Sequence, residues 1–359
     1  MLDVRRGERR GGKIRVMGSE AYSRNPFVQL MISALSYHGS VVLRPYSFWR
    51  SLSTWPDIWH LNWPERSYKA SNALVCLLKC SKLLVQLDMA RLIGTRIVWT
   101  VHNLTPHETQ YPKIEAWFWE SFHHRVDLFV HLSMGGGQLF RERFPAERSK
   151  QHAHLRHPAY PIPDSARVDR ERAREIIGVE QDATMFLMSG MLRRYKNIPA
   201  AVQAFRGLRD PDSRLVIAGY TTSDELEREI VAAIGDDARI RTRFGYLENR
   251  DLYTFIRASD LALLPYDRFL NSGVLMLSLS LARPVLAPLT PVTREISAEV
   301  GSGWVSTYST TLSADVLARG AEWIDRREPN NTEPDLSQYD WEAFAEGLTS
   351  AYRQVIDSS

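Results

Sequence analysis

The strongest local signal for anion binding in this sequence lies between Ser189 and Asn197. The segment reads S-G-M-L-R-R-Y-K-N; it follows a predicted strand and precedes a predicted helix that begins at Ile198. Arg193 and Lys196 would therefore lie at the amino-terminal end of that helix, where backbone N–H groups and the helix dipole already favour anions. Two cations beside free amides suit a diphosphate group. A solvated basic turn is the alternative interpretation of the same charges.

A second segment in the same half of the chain has the character of a ligand-binding helix start. Residues 265–273 read P-Y-D-R-F-L-N-S-G and lead into a predicted helix over 274–281. Ser272 is a good helix cap, and Gly273 would let the backbone approach a ligand, although an ordinary cap explains the segment when it is considered alone. Two such helix starts in one domain predict a nucleotide-diphosphate site. Besides Arg193 and Lys196, we assign to this site Ser189, Tyr266, Asn271, Ser272 and Gly273.

The first half of the chain supplies candidates for a general base. Glu20 follows a predicted strand, in a loop with Gly18 and Ser19, and His102 ends another predicted strand. A carboxylate or an imidazole can take the proton from an attacking hydroxyl group, and imidazole titrates near neutral pH. Glu20 is the first choice and His102 the alternative, because a histidine at this position could equally form local hydrogen bonds.

Further polar side chains follow strands in two loops of the first half. The segment H-L-N-W-P-E contains His60 and Glu65, and the segment V-H-N-L-T-P-H-E contains Asn103 and Glu108. Loops at strand ends carry function more often than the scaffold does. We expect Glu65, Asn103 and Glu108 to bind an acceptor, although a proline lies one or two residues before each glutamate, which could instead hold its loop.

The elements that must position these residues alternate along the chain. Short apolar runs predict strands with helical patterns between them, which is typical of parallel, doubly wound sheets. The predicted strands cover residues 13–17, 41–43, 57–61, 96–101, 128–132, 184–188, 215–218, 239–244, 261–264 and 285–287.

A proline-rich segment divides the two series of strands. Residues 158–166 read P-A-Y-P-I-P-D-S-A, which predicts an inter-domain linker. We therefore expect an α/β protein with two Rossmann-like domains, over residues 1–160 and 167–335, facing a cleft at the carboxyl ends of both sheets. Residues 336–359 contain an amphipathic pattern, which predicts a final helix that packs toward the first domain.

Composition narrows the class of protein. The chain has 359 residues, a formal net charge of +3 and two cysteines. Basic residues that are not interleaved with aromatic ones argue against a nucleic-acid binder. Cys76 and Cys80 have no histidine or further cysteine nearby, so we expect buried thiols in a reducing compartment, not a zinc site. The absence of a signal peptide or a long apolar run predicts a cytoplasmic protein whose membrane contact is peripheral.

Two basic segments are candidates for that membrane contact. Residues 1–15 are rich in arginine and lysine, and residues 69–93 form a helical pattern that combines leucines with Lys79, Lys82 and Arg91. This composition is typical of a helix at an anionic lipid surface. A solvated tail and a core helix with snorkelling lysines are the respective alternatives.

The motifs together resemble those of the GT-B glycosyltransferases, and among them the bacterial inverting β-mannosyltransferases of xanthan assembly. The resemblance extends from the first predicted strand to the carboxyl terminus and is densest toward the end of the chain. The matching segments are residues 60–65, 102–108, 193–196, 271–273, 278–288, 299–305 and 334–341.

The resemblance implies a GT-B fold, GDP-mannose as the donor, and no required metal or other cofactor. It implies a polyprenyl-diphosphate-linked oligosaccharide ending in glucuronic acid as the acceptor, and peripheral attachment to the inner face of the plasma membrane. Inverting members often place their base in the loop that here contains Glu20. Residues 245–248 lie where this fold usually contacts the base, so Tyr246 is expected to stack there.

One departure from the wider GT-B pattern bears on stereochemistry. Retaining members carry two glutamates in this region, and alignment on Pro284 places Phe269 and Leu277 at those positions. Neither side chain can bind a sugar hydroxyl, which favours the inverting branch. A transferase with a UDP-sugar donor and another acceptor is the alternative, and a catalytically inactive nucleotide-sugar-binding protein is the non-enzymatic one.

Overall fold

The computed structural model describes residues 12–18, 25–45, 56–105, 109–166, 168–328 and 332–358. The chain forms two compact units, Met1–Pro158 with Gln338–Ser359, and Ala159–Ser337. Over the described ranges each unit contains one parallel β-sheet flanked by helices, so the predicted α/β class is confirmed.

The sheet of the first unit has the strand order β2-β1-β3-β4-β5-β6, and all its pairs are parallel. Its strands are β1 (Ile14–Gly18), β2 (Val41–Pro45), β3 (Ile58–Leu61), β4 (Arg96–Thr100), β5 (Leu128–His131) and β6 (Gln151–His154). Its helices are α1 (Pro26–His38), α2 (Ala73–Leu92), α3 (Pro112–Arg125) and α4 (Met134–Arg143), with 3₁₀ turns over Pro64–Ser67 and Pro145–Glu147. The chain order reverses between β1 and β3, which is where such sheets bind ligands.

The sheet of the second unit has the order β12-β11-β10-β7-β8-β9, again with parallel pairs. Its strands are β7 (Thr184–Ser189), β8 (Ser213–Gly219), β9 (Ile240–Phe244), β10 (Leu261–Leu263), β11 (Val285–Pro288) and β12 (Val305–Tyr308). Its helices are α5 (Arg170–Ile177), α6 (Ile198–Arg206), α7 (Asp224–Ile234), α8 (Asn249–Ala258), α9 (Gly273–Ser280), α10 (Pro291–Glu299) and α11 (Ala314–Asp325), with 3₁₀ turns over Asp164–Ala166 and Arg194–Lys196. Here the order reverses between β7 and β10, at the two loops that the sequence singles out.

The second sheet is buried on both faces because its strands are almost wholly apolar. Alternate residues of β7 point to opposite faces, so Phe186 and Met188 pack in one core while Met185 and Leu187 pack in the other. Burial on both faces is typical of parallel sheets and explains why these strands read as continuous apolar runs.

The last helix of the chain, α12 (Trp341–Asp357), belongs to the first unit. Its apolar side chains Phe344, Leu348 and Tyr352 complete the core formed by α1 and strands β1 to β5. The Tyr352 hydroxyl also lies 2.5 Å from Nδ1 of His60 in β3, a partner 292 residues away in sequence. The first unit is therefore built from both ends of the chain.

Two features differ from the sequence-based predictions. Strands β6 and β12 were not predicted, and both are half-buried, polar edge strands without an apolar run. The proline-rich segment predicted to be a linker packs partly within the second unit, because the Tyr160 N–H donates a 2.9 Å hydrogen bond to Oγ of Ser280. In the part of the chain that the structure describes, no helix is both long and apolar enough to span a membrane.

Candidate active site

The two loops at the switch point of the second sheet are joined to each other. The backbone N–H of Asp267 donates to the carbonyl oxygen of Tyr195 at 3.0 Å, and Nδ2 of Asn197 donates to Oδ1 of Asp267 at 3.1 Å. Asn197 takes a left-handed backbone conformation, with φ of 55°, at the start of α6. The sequence-predicted segments around Lys196 and Ser272 therefore form one structure.

Lys196 is a buried cation in these two joined loops. Its side chain is only 5% exposed, and Nζ donates a 2.9 Å hydrogen bond to the carbonyl oxygen of Ser189 and lies 5.4 Å from the centre of the Tyr266 ring. Burial disfavours its charged form and, with the charge of Arg193, lowers its pKa to about 7. A buried lysine in this condition gains its full charge when an anion binds beside it.

Lys196 also lies next to the start of α9. A β-carbon built on Gly190 would lie 3.4 Å from the Val274 side chain and 3.7 Å from Nζ of Lys196, so these groups surround Gly190. Gly190 itself packs against Gly219: a β-carbon on Gly219 would lie 1.8 Å from the Gly190 carbonyl oxygen. Only glycine fits at position 219, and the two strand ends meet through backbone alone.

The two neighbouring arginines differ in their partners. The Arg194 guanidinium forms ion pairs with Glu225 at 2.7 Å and with Glu229 at 2.9 Å, both on α7. Nε of Arg193 lies 2.9 Å from the sulfur of Met191, and the Arg193 charge acts on Lys196. Of the two arginines that could match the family motif, Arg194 is engaged by carboxylates of α7, whereas Arg193 lies close enough to Lys196 to lower its pKa.

The start of α9 is capped by Ser272, whose Oγ accepts a 3.1 Å hydrogen bond from the Leu275 N–H. Gly273, the first residue of α9, lies against a tyrosine of the same unit. A β-carbon at this position would lie 2.9 Å from the hydroxyl oxygen of Tyr160, so the glycine makes room for a tyrosine of the same unit. Tyr160 adds a phenol to this helix start, and its place in a proline-rich segment gave no sign of that.

Tyr266 and Phe269 form the apolar wall of the site. The Tyr266 hydroxyl is buried near Ser272, burial raises its pKa well above 10, and it has no hydrogen bond of ordinary geometry within the described residues. Phe269 stacks on Tyr266 at 5.5 Å, and Leu277 is buried in the core with Leu281. The two positions at which retaining enzymes carry glutamate are thus apolar and buried, and Asn271 lies half-buried between them in the chain.

Tyr246 lies beyond the end of β9 and is 73% exposed. Its ring is 5.8 Å from that of Tyr220, which follows β8. The pair offers an exposed aromatic surface at the carboxyl ends of two neighbouring strands. Tyr220 was missed in the sequence because a lone tyrosine after a strand carries no distinguishing pattern.

In the first unit, His102 is held rigidly. Its Nε2 donates to Oδ1 of Asn62 at 3.0 Å, and its ring stacks on Trp63 with a centroid distance of 4.2 Å. Burial, with smaller contributions from nearby cationic groups, lowers the pKa of His102 well below 6.5. The imidazole is therefore neutral at physiological pH and a weak base, and it can form a hydrogen bond with a hydroxyl group.

His60 has a structural role. It is 2% exposed, and besides the Tyr352 hydroxyl it contacts Oγ1 of Thr100 at 2.7 Å. Burial lowers its pKa to about 3, so it stays uncharged in the core. Although it lies in a polar segment near a strand end, His60 is therefore a core histidine.

The other first-unit candidates are placed as follows. Glu65 lies half-buried in the turn Pro64–Ser67, and Asn103 is half-buried directly after His102. Glu20 and Glu108 lie outside the described residues. Gly18, the last residue of β1, pairs with His60 of β3, so the loop that contains Glu20 starts at the switch point of this sheet.

The described residues contain no group of three or more His, Cys, Asp or Glu side chains arranged to hold a metal ion. Cys76 and Cys80 are free thiols, both buried as expected.

Comparison with known proteins shows the family to which the chain belongs. Residues 169–321 match the family model described as glycosyl transferases group 1. The chain is 30% identical over 335 residues to GDP-mannose:glycolipid 4-beta-D-mannosyltransferase of Xanthomonas campestris pv. campestris, covering 92% of this chain and 89% of that protein. This similarity confirms the resemblance inferred from the motifs.

Solved structures show the same fold at low sequence identity. Sucrose-phosphate synthase from Thermosynechococcus elongatus superposes with a TM-score of 0.67 at 15% identity, covering 97% of this chain and 100% of that one. The α,α-trehalose-phosphate synthase (UDP-forming) from Burkholderia vietnamiensis gives a TM-score of 0.63 at 14% identity, with coverage of 97% and 100%. The chain has the GT-B fold and belongs to the group 1 family of glycosyltransferases.

Proposed function

We propose that this glycosyltransferase is an inverting, GDP-mannose-dependent β-1,4-mannosyltransferase. Its acceptor would be a polyprenyl-diphosphate-linked oligosaccharide ending in glucuronic acid, in bacterial exopolysaccharide assembly. The enzyme would work at the inner face of the plasma membrane as a peripheral protein. The observation that carries the proposal is the buried Lys196 beside the capped start of α9, in a chain whose relative is named for GDP-mannose and a glycolipid.

The donor diphosphate would bind in the second unit. Lys196, Arg193 and the backbone amides at the start of α9 would contact its oxygen atoms and stabilise the negative charge that develops as GDP leaves. These protein cations support a reaction without a metal ion, which we propose for this enzyme. Tyr246 and Tyr220 would offer the exposed ring surface for the guanine base.

The absence of a carboxylate at positions 269 and 277 supports a single displacement. The acceptor hydroxyl would attack the anomeric carbon as the bond to the diphosphate breaks, and its proton would pass to a base of the first unit. Glu20 is our first choice for that base and His102 the second. Glu65, Asn103 and Glu108 would hold the acceptor.

A donor panel tests the proposal. GDP-mannose, GDP-glucose, UDP-glucose and UDP-N-acetylglucosamine would each be offered with a glucuronate-terminated lipid-linked acceptor, with and without a chelator. We expect transfer from GDP-mannose alone and no effect of the chelator. Transfer from a UDP-sugar would replace the donor assignment. If none of the donors gave either transfer or slow hydrolysis, the chain would be a binding protein without catalytic activity.

A further inference from the structure

Helix α2 (Ala73–Leu92) is apolar on two opposite faces, and only one of them is covered. Cys76, Cys80 and Leu87 are buried against the first unit. The outward face carries apolar side chains at the residues Leu74, Leu77, Leu78, Val85, Met89 and Leu92. A surface helix of a soluble protein normally has a polar outer face, so we expect this apolar face to bind a partner.

The exposed apolar side chains form a stripe along one side of the helix. At about 100° per residue, Leu74, Leu78, Val85, Met89 and Leu92 fall within roughly 60° of one another around the helix axis. Leu74, Leu78, Val85 and Leu92 are exposed by between 55% and 84%. The stripe runs nearly the full length of the helix, about 27 Å at 1.5 Å per residue. Trp117 on the neighbouring helix α3 adds a half-exposed ring.

The charges beside the stripe are positive. Lys79 and Lys82 are exposed, and within the described residues neither forms an ion pair. Two acidic groups nearby are already paired, Asp88 with Arg125 at 2.7 Å and Asp127 with Arg91 at 3.4 Å, while Glu120 on α3 is exposed. An apolar stripe with uncompensated lysines along its side matches a bilayer that contains anionic lipid headgroups.

We propose that the outward face of α2 is the surface by which this protein binds anionic membranes. The inference deepens the proposed function, because a lipid-linked acceptor is presented at such a surface. The helix contacts the turn Pro64–Ser67, which directly follows Trp63, the residue that stacks on His102. Helix α2 therefore lies beside the part of the first unit to which we assign the acceptor.

A second copy of the chain is a less suitable partner. A twofold contact through this stripe would bring the same lysines of both copies to one interface, where like charges repel. Anionic headgroups would instead accept the ammonium groups while the leucines enter the acyl boundary.

Vesicle flotation of the full chain tests the proposal, with neither donor nor acceptor present. The probes are vesicles of phosphatidylcholine alone and of phosphatidylcholine mixed with phosphatidylglycerol. We expect wild-type protein to bind the anionic vesicles preferentially. The double variant Leu78→Ser/Val85→Ser should lower the bound fraction by about tenfold or more, because it removes two apolar side chains from the contact. Lys79→Gln/Lys82→Gln should remove the preference for the anionic vesicles.

A matched control comes from the second unit. Ile176 and Val231 lie on other helices and are 57% and 53% exposed, against 59% and 55% for Leu78 and Val85. Ile176→Ser/Val231→Ser should leave vesicle binding unchanged, and all variants should unfold at the wild-type temperature. Equal binding by Leu78→Ser/Val85→Ser and wild type would overturn the proposal. The proposal would also be overturned if sedimentation showed that the wild type is a dimer and this variant a monomer, while neither protein binds vesicles.

The vesicle-binding result can be distinguished from the test of the proposed sugar-transfer activity. Vesicle binding requires no particular donor, so a different sugar specificity leaves the result intact. With a short water-soluble acceptor, Leu78→Ser/Val85→Ser should keep wild-type turnover, whereas with a vesicle-embedded acceptor its turnover should fall together with its binding.

Discussion

The hydroxyl oxygen of Tyr160 lies 2.9 Å from the point that a β-carbon on residue 273 would occupy. The Tyr160 backbone is held by its hydrogen bond to Ser280, and Gly273 is the first residue of α9. A side chain at position 273 would therefore push either the phenol or the helix start away from its place. This contact makes the donor site sensitive to a single methyl group.

We predict that Gly273→Ala weakens GDP binding by about tenfold, or ~1.4 kcal/mol, because overpacking displaces the amides at the start of α9. Isothermal titration calorimetry measures the loss. The double variant Gly273→Ala/Tyr160→Phe serves as the control, since removal of the hydroxyl restores the space and should recover most of the affinity. An equal loss in the single and double variants would contradict the steric explanation.

Lys196 should make GDP binding depend on pH. Burial lowers the pKa of Lys196 to about 7, so without ligand its charge is lost as the pH rises above that value. A diphosphate stabilises the charged form, and binding above neutral pH must then be accompanied by proton uptake. We expect GDP affinity to fall by up to about tenfold per pH unit between about pH 7 and pH 9. Lys196→Met should bind more weakly and lack this slope; a wild-type affinity independent of pH would contradict the assignment.

The lowered pKa of Lys196 should also make folding stability depend on pH, in the direction opposite to that of GDP affinity. An unfolded lysine holds its proton up to its ordinary pKa of 10.5, whereas the folded one releases it near 7. In that window the unfolded chain binds more protons, so the free energy of unfolding rises with pH. Denaturant titrations of ligand-free wild type should show this rise relative to Lys196→Met. Parallel pH profiles for the two proteins would mean that Lys196 is not buried in the free enzyme.

Arg193 and Arg194 provide a matched pair. Arg193→Ala should weaken GDP binding by about 1.5–3 kcal/mol, the usual size of a hydrogen bond to a charged group. Arg194→Ala should leave the affinity unchanged, because its guanidinium is engaged by Glu225 and Glu229. Calorimetry at one salt concentration compares them. The reverse ranking would move the diphosphate contact to Arg194.

The stereochemistry of the product is a further test. Phe269 packs on Tyr266 and Leu277 lies in the core, so neither position offers a nucleophile to the anomeric carbon. We predict a β-linked product from an α-linked donor. The one-bond carbon–hydrogen coupling at the new anomeric centre distinguishes the two anomers by NMR. An α-linked product would rule out the single displacement.

The general base can be assigned by comparing two variants. Glu20→Gln should lower turnover by roughly two to four orders of magnitude while GDP affinity stays the same. His102→Asn should act mainly on substrate placement, because the pKa of His102 is low and its ring is fixed by Asn62 and Trp63. If Glu20→Gln retains turnover while His102→Asn folds and binds GDP but is inactive, the role passes to His102.

The sequence was most informative where structure is local. Buried strands such as β7 were predictable because parallel strands covered on both faces are continuous apolar runs. Edge strands β6 and β12 were not, because their residues are only half-buried and polar side chains are tolerated there. The starts of α6 and α9 were likewise predictable from glycine, serine and basic residues at strand ends.

What the sequence could not reveal are relationships between distant segments. Lys196 is buried partly by Tyr266, which lies 70 residues further along the chain. A glycine is needed at position 273 because the Tyr160 hydroxyl lies where a side chain would go. His60 and His102 have similar sequence surroundings, yet one is bonded to the last helix within the core and the other lies in a strand-end loop. Side-chain identity predicts possible chemistry, and burial decides which of these possibilities a residue can perform.

The return of α12 to the first unit has a consequence for biosynthesis. The second unit is continuous in sequence, whereas the first lacks Phe344, Leu348 and Tyr352 until the whole second unit has been translated. Since domains fold as the ribosome releases them, the second unit can be complete while the first still exposes part of its core. The half of the enzyme that is synthesised first is thus the half that matures last, and it needs protection from aggregation until the final helix emerges.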